Sequence, residues 1–235
     1  MGCYLKLKMK KNTNHQDTSA PSSSGSTGVG IKICGMKYPE NIIEVASLLP
    51  DYMGFIFWEK SSRFFDEVIP DLPKSIKKTG VFVNETIQII LEKAKKHDLR
   101  AIQLHGDESA EFCLALKEQL DSTIEIIKVF SIIDTFDFDV LKPFEDVCNY
   151  FLFDTKGKLP GGNGAVFDWK ILENYSSSKP FFLSGGIGIE ELKSVNEILK
   201  TNLPIHALDL NSKFEIKPGL KNKTILKEFQ CKLKI

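Results

Sequence analysis

The sequence predicts a single (β/α)8 barrel, in which eight parallel strands close into a ring surrounded by helices. Three observations support this prediction. Short runs rich in β-branched and aromatic residues occur eight times, amphipathic stretches separate them, and glycines and polar residues cluster directly after the runs. A doubly wound open sheet is the structural competitor. The barrel is favoured because no Gly-x-Gly-x-x-Gly follows the first run.

The predicted strands lie at regular intervals from residue 31 to residue 210. They are Ile31 to Cys34, Tyr52 to Phe57, Thr79 to Val83, Ala101 to Leu104, Ile124 to Phe130, Tyr150 to Asp154, Pro180 to Ser184 and Ile205 to Leu210.

Helices are expected between the strands. The stretch Glu85 to His97 carries Ile87, Ile90 and Ala94 at helical spacing, and Ile189 to Lys200 repeats the pattern. The order β-α-β-α is therefore expected throughout.

Residues 1–29 have a different composition from the rest of the chain. They are rich in lysine, asparagine, serine, threonine and glycine, and they offer little apolar surface to bury. We expect a flexible tail over residues 1–29 and one barrel domain over residues 30–235.

Composition narrows the classes of partner. The 235 residues include 31 basic and 31 acidic side chains, a net charge of zero that gives no reason to expect nucleic acid or an anionic membrane. The five cysteines lack Cys-x-x-Cys spacing, which argues against a metal site or a disulfide framework and favours the cytoplasm. No run reaches the roughly 18 apolar residues that a membrane-spanning helix needs, and the N-terminus lacks a signal-peptide core.

A lone cysteine ends the first predicted strand. Strand alternation places Lys32 and Cys34 on the same, inward side of a barrel. At the rim, nearby positive charge would lower the thiol pKa from its reference of ~8.5 and supply a thiolate base. A buried structural cysteine is an equal alternative. Lys32 needs a partner inside the barrel, and Asp209, at the end of the eighth run, is the candidate.

An aspartate ends the sixth predicted strand. Asp154 is expected to face the same rim as Cys34, so that an acid and a base flank one substrate. A helix N-cap is the alternative role, but a long glycine-rich loop follows Asp154, and Asp168 is better placed as a cap.

Two glycine or polar turns follow the seventh and eighth strands, where barrels bind phosphate on backbone N–H groups. They contain Gly185 and Gly186 in the first turn and Asn211 and Ser212 in the second. A Gly-Gly pair by itself can be ordinary turn chemistry. Its occurrence together with the second turn favours a phosphate site.

Three further side chains are candidates for substrate binding. Arg63 lies on the loop after the second strand, where a guanidinium can bind a carboxylate in bidentate fashion, although most loop arginines are solvated. Gln103 and His105 share one face of the fourth strand and reach the rim. For His105 a structural role is favoured over a catalytic one.

With these residues placed, the chain resembles the phosphoribosylanthranilate isomerase family of tryptophan biosynthesis. The resemblance begins near Ile31, extends to the C-terminus and includes a block at nearly every strand end. The blocks are Lys32-Ile-Cys-Gly35, Gly54-Phe-Ile-Phe57 with Lys60-Ser-Ser-Arg63, Gly80-Val-Phe-Val83, Gln103-Leu-His-Gly-Asp-Glu108, Phe153-Asp-Thr155, Gly161-Gly-Asn-Gly164 with Phe167-Asp-Trp169, Leu183-Ser-Gly-Gly186, and Asp209-Leu-Asn-Ser212 with Pro218-Gly219.

The resemblance implies an Amadori rearrangement of a small phosphorylated substrate without cofactor or metal, in a monomer or homodimer. By analogy Asp154 is the general acid that opens the furanose ring, and Cys34 as thiolate removes the C2 proton. Arg63 would bind the anthranilate carboxylate.

The resemblance also implies ligands for the phosphate. Backbone groups of Gly185, Gly186, Asn211 and Ser212 would hold the phosphate. Gln103 and His105 complete the expected substrate-binding set.

Four residues depart from the family pattern, which often has proline at Ser62, threonine at Asn163, alanine at Ser184 and glycine at Lys213. The lysine matters most. Lys213 either excludes a positive φ in the phosphate loop or adds a cation beside the anion.

Two rival functions are weighed against this one. The histidine-pathway isomerase of the same barrel type is expected to use two aspartates, so Cys34 argues against it. A phosphate-binding module or a degenerate regulatory barrel would need neither Cys34 nor Asp154.

Overall fold

The structure is a computed structural model that describes residues 28–133, 135–155 and 168–233. Within these ranges eight parallel strands form a closed barrel in sequence order. They are β1 Gly30–Ile33, β2 Tyr52–Ile56, β3 Lys77–Phe82, β4 Ala101–Leu104, β5 Glu125–Ile132, β6 Tyr150–Thr155, β7 Phe181–Leu183 and β8 Ile205–Leu210.

Closure of the barrel rules out the open-sheet alternative. Strand β1 pairs in parallel with both β2 and β8, so the first and last strands are neighbours. All eight predicted strands are confirmed, with ends that differ by at most two residues. After β8 the chain adds a short antiparallel hairpin of β9 Glu215–Lys217 and β10 Leu220–Lys221, which the sequence did not indicate.

Helices follow only some of the strands. The α-helices are α1 Pro39–Ala46, α2 Ile87–His97, α3 Ala110–Lys117, α4 Leu192–Ile198 and α5 Lys223–Lys232, and 3-10 helices cover Phe138–Phe144, Trp169–Asn174 and Ser212–Phe214. The predicted helix at Glu85 to His97 is confirmed as α2, whose N-cap Thr86 accepts a hydrogen bond from Ile89 N.

The expectation of a helix after every strand is wrong between β2 and β3. Residues 57–76 are all described and contain no helix. Pro70 and Pro73 lie in this connection, and each proline removes a backbone donor and keeps the preceding residue out of the helical region. Between β5 and β6, Pro143 lies inside the 3-10 helix for the same reason.

Two apolar layers pack the barrel. A large outer core joins the sheet to the surrounding helices, and a smaller inner cluster fills the ring. The inner cluster consists of Tyr52, Ala101, Ile127, Val129, Leu152, Phe182 and Ala207. Among the described residues no helix is long and apolar enough to cross a bilayer.

A polar cluster closes the N-terminal end of the ring, opposite the ends of the strands that carry the candidate site. The buried Tyr52 hydroxyl donates to Glu125 Oε2 at 3.0 Å and is hydrogen-bonded to His206 Nε2 at 2.9 Å. Lys77 Nζ also contacts both Tyr52 and Glu125. This cluster satisfies buried polar groups and stabilises the barrel.

Tyr52→Phe removes this hydroxyl and with it one hydrogen-bond partner each of Glu125 and His206. We expect the free energy of unfolding to fall by about 1–3 kcal/mol, with steady-state kinetics unchanged because the cluster lies at the opposite end from the site. Urea denaturation and activity assays of the same preparation check both parts. Loss of activity in a fully folded variant would contradict the separation of the two ends.

Candidate active site

A buried ion pair stands at the centre of the site. Lys32 on β1 and Asp209 on β8 are register partners, and Lys32 Nζ lies 2.7 Å from Asp209 Oδ1. Burial acts to lower the pKa of Lys32, but the Asp209 carboxylate and the neighbouring Cys34 outweigh it and raise that pKa. The pairing expected from the sequence is confirmed, and Lys32 is a cation inside the barrel.

Cys34 lies just beyond β1, where its backbone N–H donates to Leu210 O. Its side chain is buried against Ile56 and Val81. A Cβ added to Gly54 on β2 would lie 2.7 Å from Cys34 Sγ, so only glycine at that position leaves room for the thiol.

The expectation of a lowered pKa for Cys34 is wrong. Burial raises the pKa of the thiol, and the Asp209 carboxylate raises it further. Lys32 and Lys221 act in the opposite direction but do not overcome the desolvation. Cys34 is therefore a neutral thiol in the resting protein.

Asp154 ends β6 and is buried. Its Oδ1 accepts hydrogen bonds from Thr155 N at 2.9 Å and from Ser184 Oγ at 3.2 Å. Burial, with a contribution from Asp209, raises the pKa of Asp154 to about 6 despite those hydrogen bonds. A carboxyl group with such a pKa can give up and regain a proton near neutral pH.

His105 lies beside Asp154 rather than in a remote structural position. Its Nε2 is 3.6 Å from Asp154 Oδ2, and its Nδ1 is 3.1 Å from Gln103 Nε2. Burial, together with Lys32 and Lys128, lowers the pKa of His105 to about 3, so the ring is neutral. With the Gln103 amide donating to Nδ1, the ring proton is on Nε2 and faces Asp154.

The acid and the thiol belong to one electrostatic cluster. Lys32 and Asp209 act on the pKa values of both Cys34 and Asp154. The four groups therefore lie within reach of one another at the C-terminal end of the strands, where barrels build active sites.

The turns after β7 and β8 meet at the same end of the barrel. Gly185 and Gly186 have φ values of 89° and 71°, a conformation that side chains other than glycine rarely adopt. Asn211 and Ser212 follow β8, and Asn211 Oδ1 accepts a hydrogen bond from Lys221 Nζ at 2.7 Å.

Two alternatives were raised for Lys213: exclusion of a positive φ in the phosphate loop, or an added cation beside it. The backbone at this position decides between them. Lys213 is not among the described residues with positive φ, so the lysine does not force an unusual backbone. Its side chain is exposed next to Gly188, where an added Cβ would lie 3.0 Å from Lys213 Cβ. The substitution therefore adds a cation at the edge of the turn after β7.

Arg63 is buried and paired, in contrast to a solvated loop arginine. Its Nε lies 2.9 Å from Glu215 Oε1 and its Nη2 lies 2.7 Å from Glu215 Oε2. Lys221, also buried, donates to Glu215 Oε1 at 2.8 Å. Glu215 and Lys221 were not predicted from the sequence, although both flank the Pro218-Gly219 pair of the family resemblance.

The remaining sequence predictions concern metal ligands and the glycine-rich block before the 3-10 helix Trp169–Asn174. Among the described residues no group of three histidine, cysteine or acidic side chains is arranged to hold a metal ion. The block from Gly161 to Phe167, including Asn163, lies outside the described residues. Asp168 caps the 3-10 helix Trp169–Asn174 by accepting from Lys170 N, as predicted.

Comparison with known proteins places this geometry in context. A family model described as N-(5'-phosphoribosyl)anthranilate (PRA) isomerase matches residues 31–231. The chain is 43% identical over 205 residues to the N-(5'-phosphoribosyl)anthranilate isomerase of Parabacteroides distasonis, an alignment that covers 85% of this chain and 90% of that protein.

Two solved structures share the fold along nearly their whole length. One contains monomers generated from the dimeric phosphoribosylanthranilate isomerase of Thermotoga maritima, with a TM-score of 0.68 and 27% identity over 88% of this chain and 98% of that chain. The other is a phosphoribosyl anthranilate isomerase in complex with reduced 1-(o-carboxyphenylamino)-1-deoxyribulose 5-phosphate, with a TM-score of 0.68 and 28% identity over 86% and 96% of the respective chains.

The raised pKa of Asp154 implies a measurable effect on stability. Because the folded state holds this proton more tightly than the unfolded state, stability falls as pH rises from about 4 to about 6 and is then constant. Asp154→Asn keeps the Oδ1 acceptor and removes the charge. We expect the variant to be more stable than the wild type at pH 7.5, by at most on the order of 3 kcal/mol.

Urea denaturation at pH 4.0 and pH 7.5 measures this difference directly. The advantage of Asp154→Asn should be small at the lower pH and large at the higher one. An equal difference at both values would show that burial does not perturb this carboxyl group.

Proposed function

The chain belongs to the N-(5'-phosphoribosyl)anthranilate isomerase family of tryptophan biosynthesis, and we propose that it catalyses the Amadori rearrangement of N-(5-phosphoribosyl)anthranilate to 1-(2-carboxyphenylamino)-1-deoxyribulose 5-phosphate. The observation that carries this proposal is the cluster of Cys34, Asp154, Lys32 and Asp209. It offers one group that can donate a proton and another that can accept one, both buried at the same end of the barrel.

Asp154 acts first, as the general acid. It gives its proton to the furanose ring oxygen while the bond from that oxygen to C1 breaks. The lone pair of the substrate nitrogen forms a C1–N double bond, so the ring opens to a cationic Schiff base. The pKa of about 6 suits this step, because part of the population holds the proton near neutral pH.

Cys34 then acts as the general base. Its thiolate takes the proton from C2, the electron pair forms a C1–C2 double bond, and the nitrogen returns to neutrality as an enolamine. Tautomerisation moves the O2 proton to C1 and leaves a ketone, so no external oxidant or reductant is needed.

The resting thiol is compatible with that role. Burial keeps the pKa of Cys34 high before the Schiff base forms. The Schiff-base cation adds a positive charge beside the sulfur at the moment when the base is needed, and an opposite charge within a few ångströms favours ionisation. The thiol proton then leaves to solvent. After Cys34 has taken the C2 proton, Asp154 takes up a proton from solvent, and both groups return to their starting forms.

The anionic groups of the substrate have separate binding elements. Arg63 binds the anthranilate carboxylate, and the backbone N–H groups around Gly185, Gly186 and Ser212, with Asn211, bind the phosphate. Gln103 and His105 lie beside Asp154 and bind the sugar. Lys213 adds a cation close to the phosphate turn.

We extend the proposal to the organisation of the protein. One catalytic domain spans residues 30–235, and the enzyme works in the cytoplasm as a monomer or homodimer without cofactor or nucleic acid. The flexible tail expected from the sequence falls almost entirely on residues 1–27, which lie outside the described residues. The family match over residues 31–231 supports the single domain, and the dimeric relative from Thermotoga maritima supports the homodimer.

Replacing either reacting group tests the assignment. We expect Cys34→Ala and Asp154→Asn each to lower kcat by about 10² to 10⁴, the range that a positioned proton-transfer group contributes. Loss of the anthranilate-type fluorescence of the substrate measures turnover. Binding of the reduced product analogue should be largely retained.

The matched control is Cys113→Ala, which removes another buried thiol, on α3, outside the cluster. Its turnover should stay close to that of the wild type. Turnover at the wild-type rate in either Cys34→Ala or Asp154→Asn would refute the proposed roles.

The pH dependence of kcat/KM follows from the raised pKa values of Asp154 and Cys34. The productive form needs Asp154 protonated and Cys34 ionised. Below about pH 6 the acid is already protonated, so kcat/KM rises tenfold per pH unit as more thiolate forms. Between pH 6 and the raised pKa of Cys34 the gain in thiolate and the loss of acid cancel, and above that pKa kcat/KM falls.

A pH–rate profile from pH 5 to pH 10 checks this plateau. A tenfold fall in kcat/KM per unit directly above pH 6 would mean that Cys34 is ionised at lower pH than the buried site indicates.

A further inference from the structure

Glu215 is a buried carboxylate that joins three parts of the rim. Its side chain is 5% exposed. Oε1 accepts hydrogen bonds from Arg63 Nε at 2.9 Å, Lys221 Nζ at 2.8 Å and Gly219 N at 2.9 Å, and Oε2 accepts from Arg63 Nη2 at 2.7 Å. These interactions outweigh burial and lower the pKa of Glu215, so the carboxylate is ionised.

The pairing with Glu215 fixes the direction of the Arg63 guanidinium. A guanidinium is planar, so when the Nε–Nη2 edge is taken, the Nη1 side is the one that remains for a ligand. Among the residues that the structure describes, none accepts a hydrogen bond from Nη1.

Gly35 places this guanidinium next to Cys34. A Cβ added to Gly35 would lie 2.7 Å from Arg63 Cδ and 2.9 Å from Asn211 Oδ1, so both side chains pass against this glycine. Gly35 also has a φ of 74°, which independently favours glycine. Arg63 is therefore held directly beside the residue that follows the thiol.

Lys221 extends the network toward the phosphate turn. It is buried, and its Nζ donates to both Glu215 and Asn211. Burial lowers the pKa of Lys221 to about 8, while Glu215 supports the ammonium form. Without that carboxylate, two neighbouring cations would face each other in a buried position.

The network crosses the mouth of the barrel above β1. Arg63 follows β2, whereas Glu215 and Asn211 follow β8, and β1 lies between those two strands. Its formal charge is +1, from two cations and one anion. A rim of this charge suits a ligand with anionic groups at both ends.

We propose that Glu215 is a positioning residue for ligand selectivity: it holds one edge of Arg63 so that the other edge receives the ring carboxylate of the substrate, and through Lys221 it ties Arg63 to Asn211 at the phosphate end. This inference rests on the proposed function, because it takes the carboxylate of that substrate as the group that Arg63 receives.

A pair of ligands separates positioning from a purely structural role. The first is the reduced product analogue, which carries the ring carboxylate. The second is its counterpart with an unsubstituted phenyl ring. If Glu215 only stabilised the fold, replacing it would change the affinity for both ligands equally. If Glu215 positions Arg63, replacing it changes mainly the affinity for the carboxylated ligand.

Isothermal titration calorimetry with both ligands measures the preference for the carboxylated ligand. The wild type should bind the carboxylated ligand at least about tenfold more tightly, the size expected of a charge-assisted bidentate contact. Glu215→Gln should reduce this preference to about twofold and change the affinity for the phenyl ligand by less than about threefold. In turnover assays, KM should rise about tenfold while kcat changes little, because Cys34 and Asp154 are untouched.

Arg63→Ala supplies the double-mutant comparison. If Glu215 acts through Arg63, adding Glu215→Gln to Arg63→Ala causes no further loss of carboxylate preference. Additive losses, or an unchanged preference in Glu215→Gln alone, would overturn the inference.

Glu125→Gln is the matched control. Glu125 is also a shielded carboxylate paired with a lysine, but at the opposite end of the barrel. The Glu125→Gln variant should be less stable than the wild type and keep the preference for the carboxylated ligand. If Glu215→Gln does not fold, Glu215→Asp retains a charge for Lys221 but is one methylene too short to hold Arg63, and full preference in that variant would also overturn the inference.

The results of these experiments also distinguish an error in the role of Glu215 from an error in the proposed function. A wild type that turns over the substrate without preferring the carboxylated ligand would refute only the role of Glu215. A wild type that neither turns over the substrate nor binds the product analogue would refute the proposed function.

Discussion

The Lys32–Asp209 ion pair is the interaction on which the chemistry of the barrel mouth depends. Two opposite charges 2.7 Å apart inside the ring stabilise each other, whereas removal of one partner leaves a buried charge that costs about 3–5 kcal/mol. Lys32 acts to lower the pKa values of both Cys34 and Asp154, whereas Asp209 acts to raise both. Because these two effects partly cancel, desolvation decides the protonation states, and Cys34 and Asp154 are both shifted toward their neutral forms.

That balance divides the site into two regions with different tasks. The inner region contains Cys34, Asp154 and the neutral His105, the region to which we assign proton transfer. The outer region contains Arg63, Glu215 and Lys221, with an excess of one positive charge that favours anions. Gly35 lies between the two regions, and its missing side chain lets them approach each other.

Much of the fold was predictable from the sequence because its signals are local. Runs of β-branched and aromatic residues identified all eight strands, and barrel closure followed from their number and spacing. The Lys32–Asp209 pair was predictable for the same reason, since closure brings the first and eighth strands together. The missing helix between β2 and β3 was not predicted, because the prolines of that connection were not weighed against the repeating pattern.

The amino-acid sequence by itself determined which side chains point into the barrel, because strand alternation has a period of two and depends only on neighbouring residues. It thereby placed Cys34, Asp154, Gln103 and His105 at one rim. Only the tertiary structure decided their charge states, since the desolvation that keeps Cys34 a thiol comes from residues of several strands. It also decided that Arg63 pairs with Glu215, 152 positions away in the chain, because such a contact arises from packing around the closed ring and has no local signal.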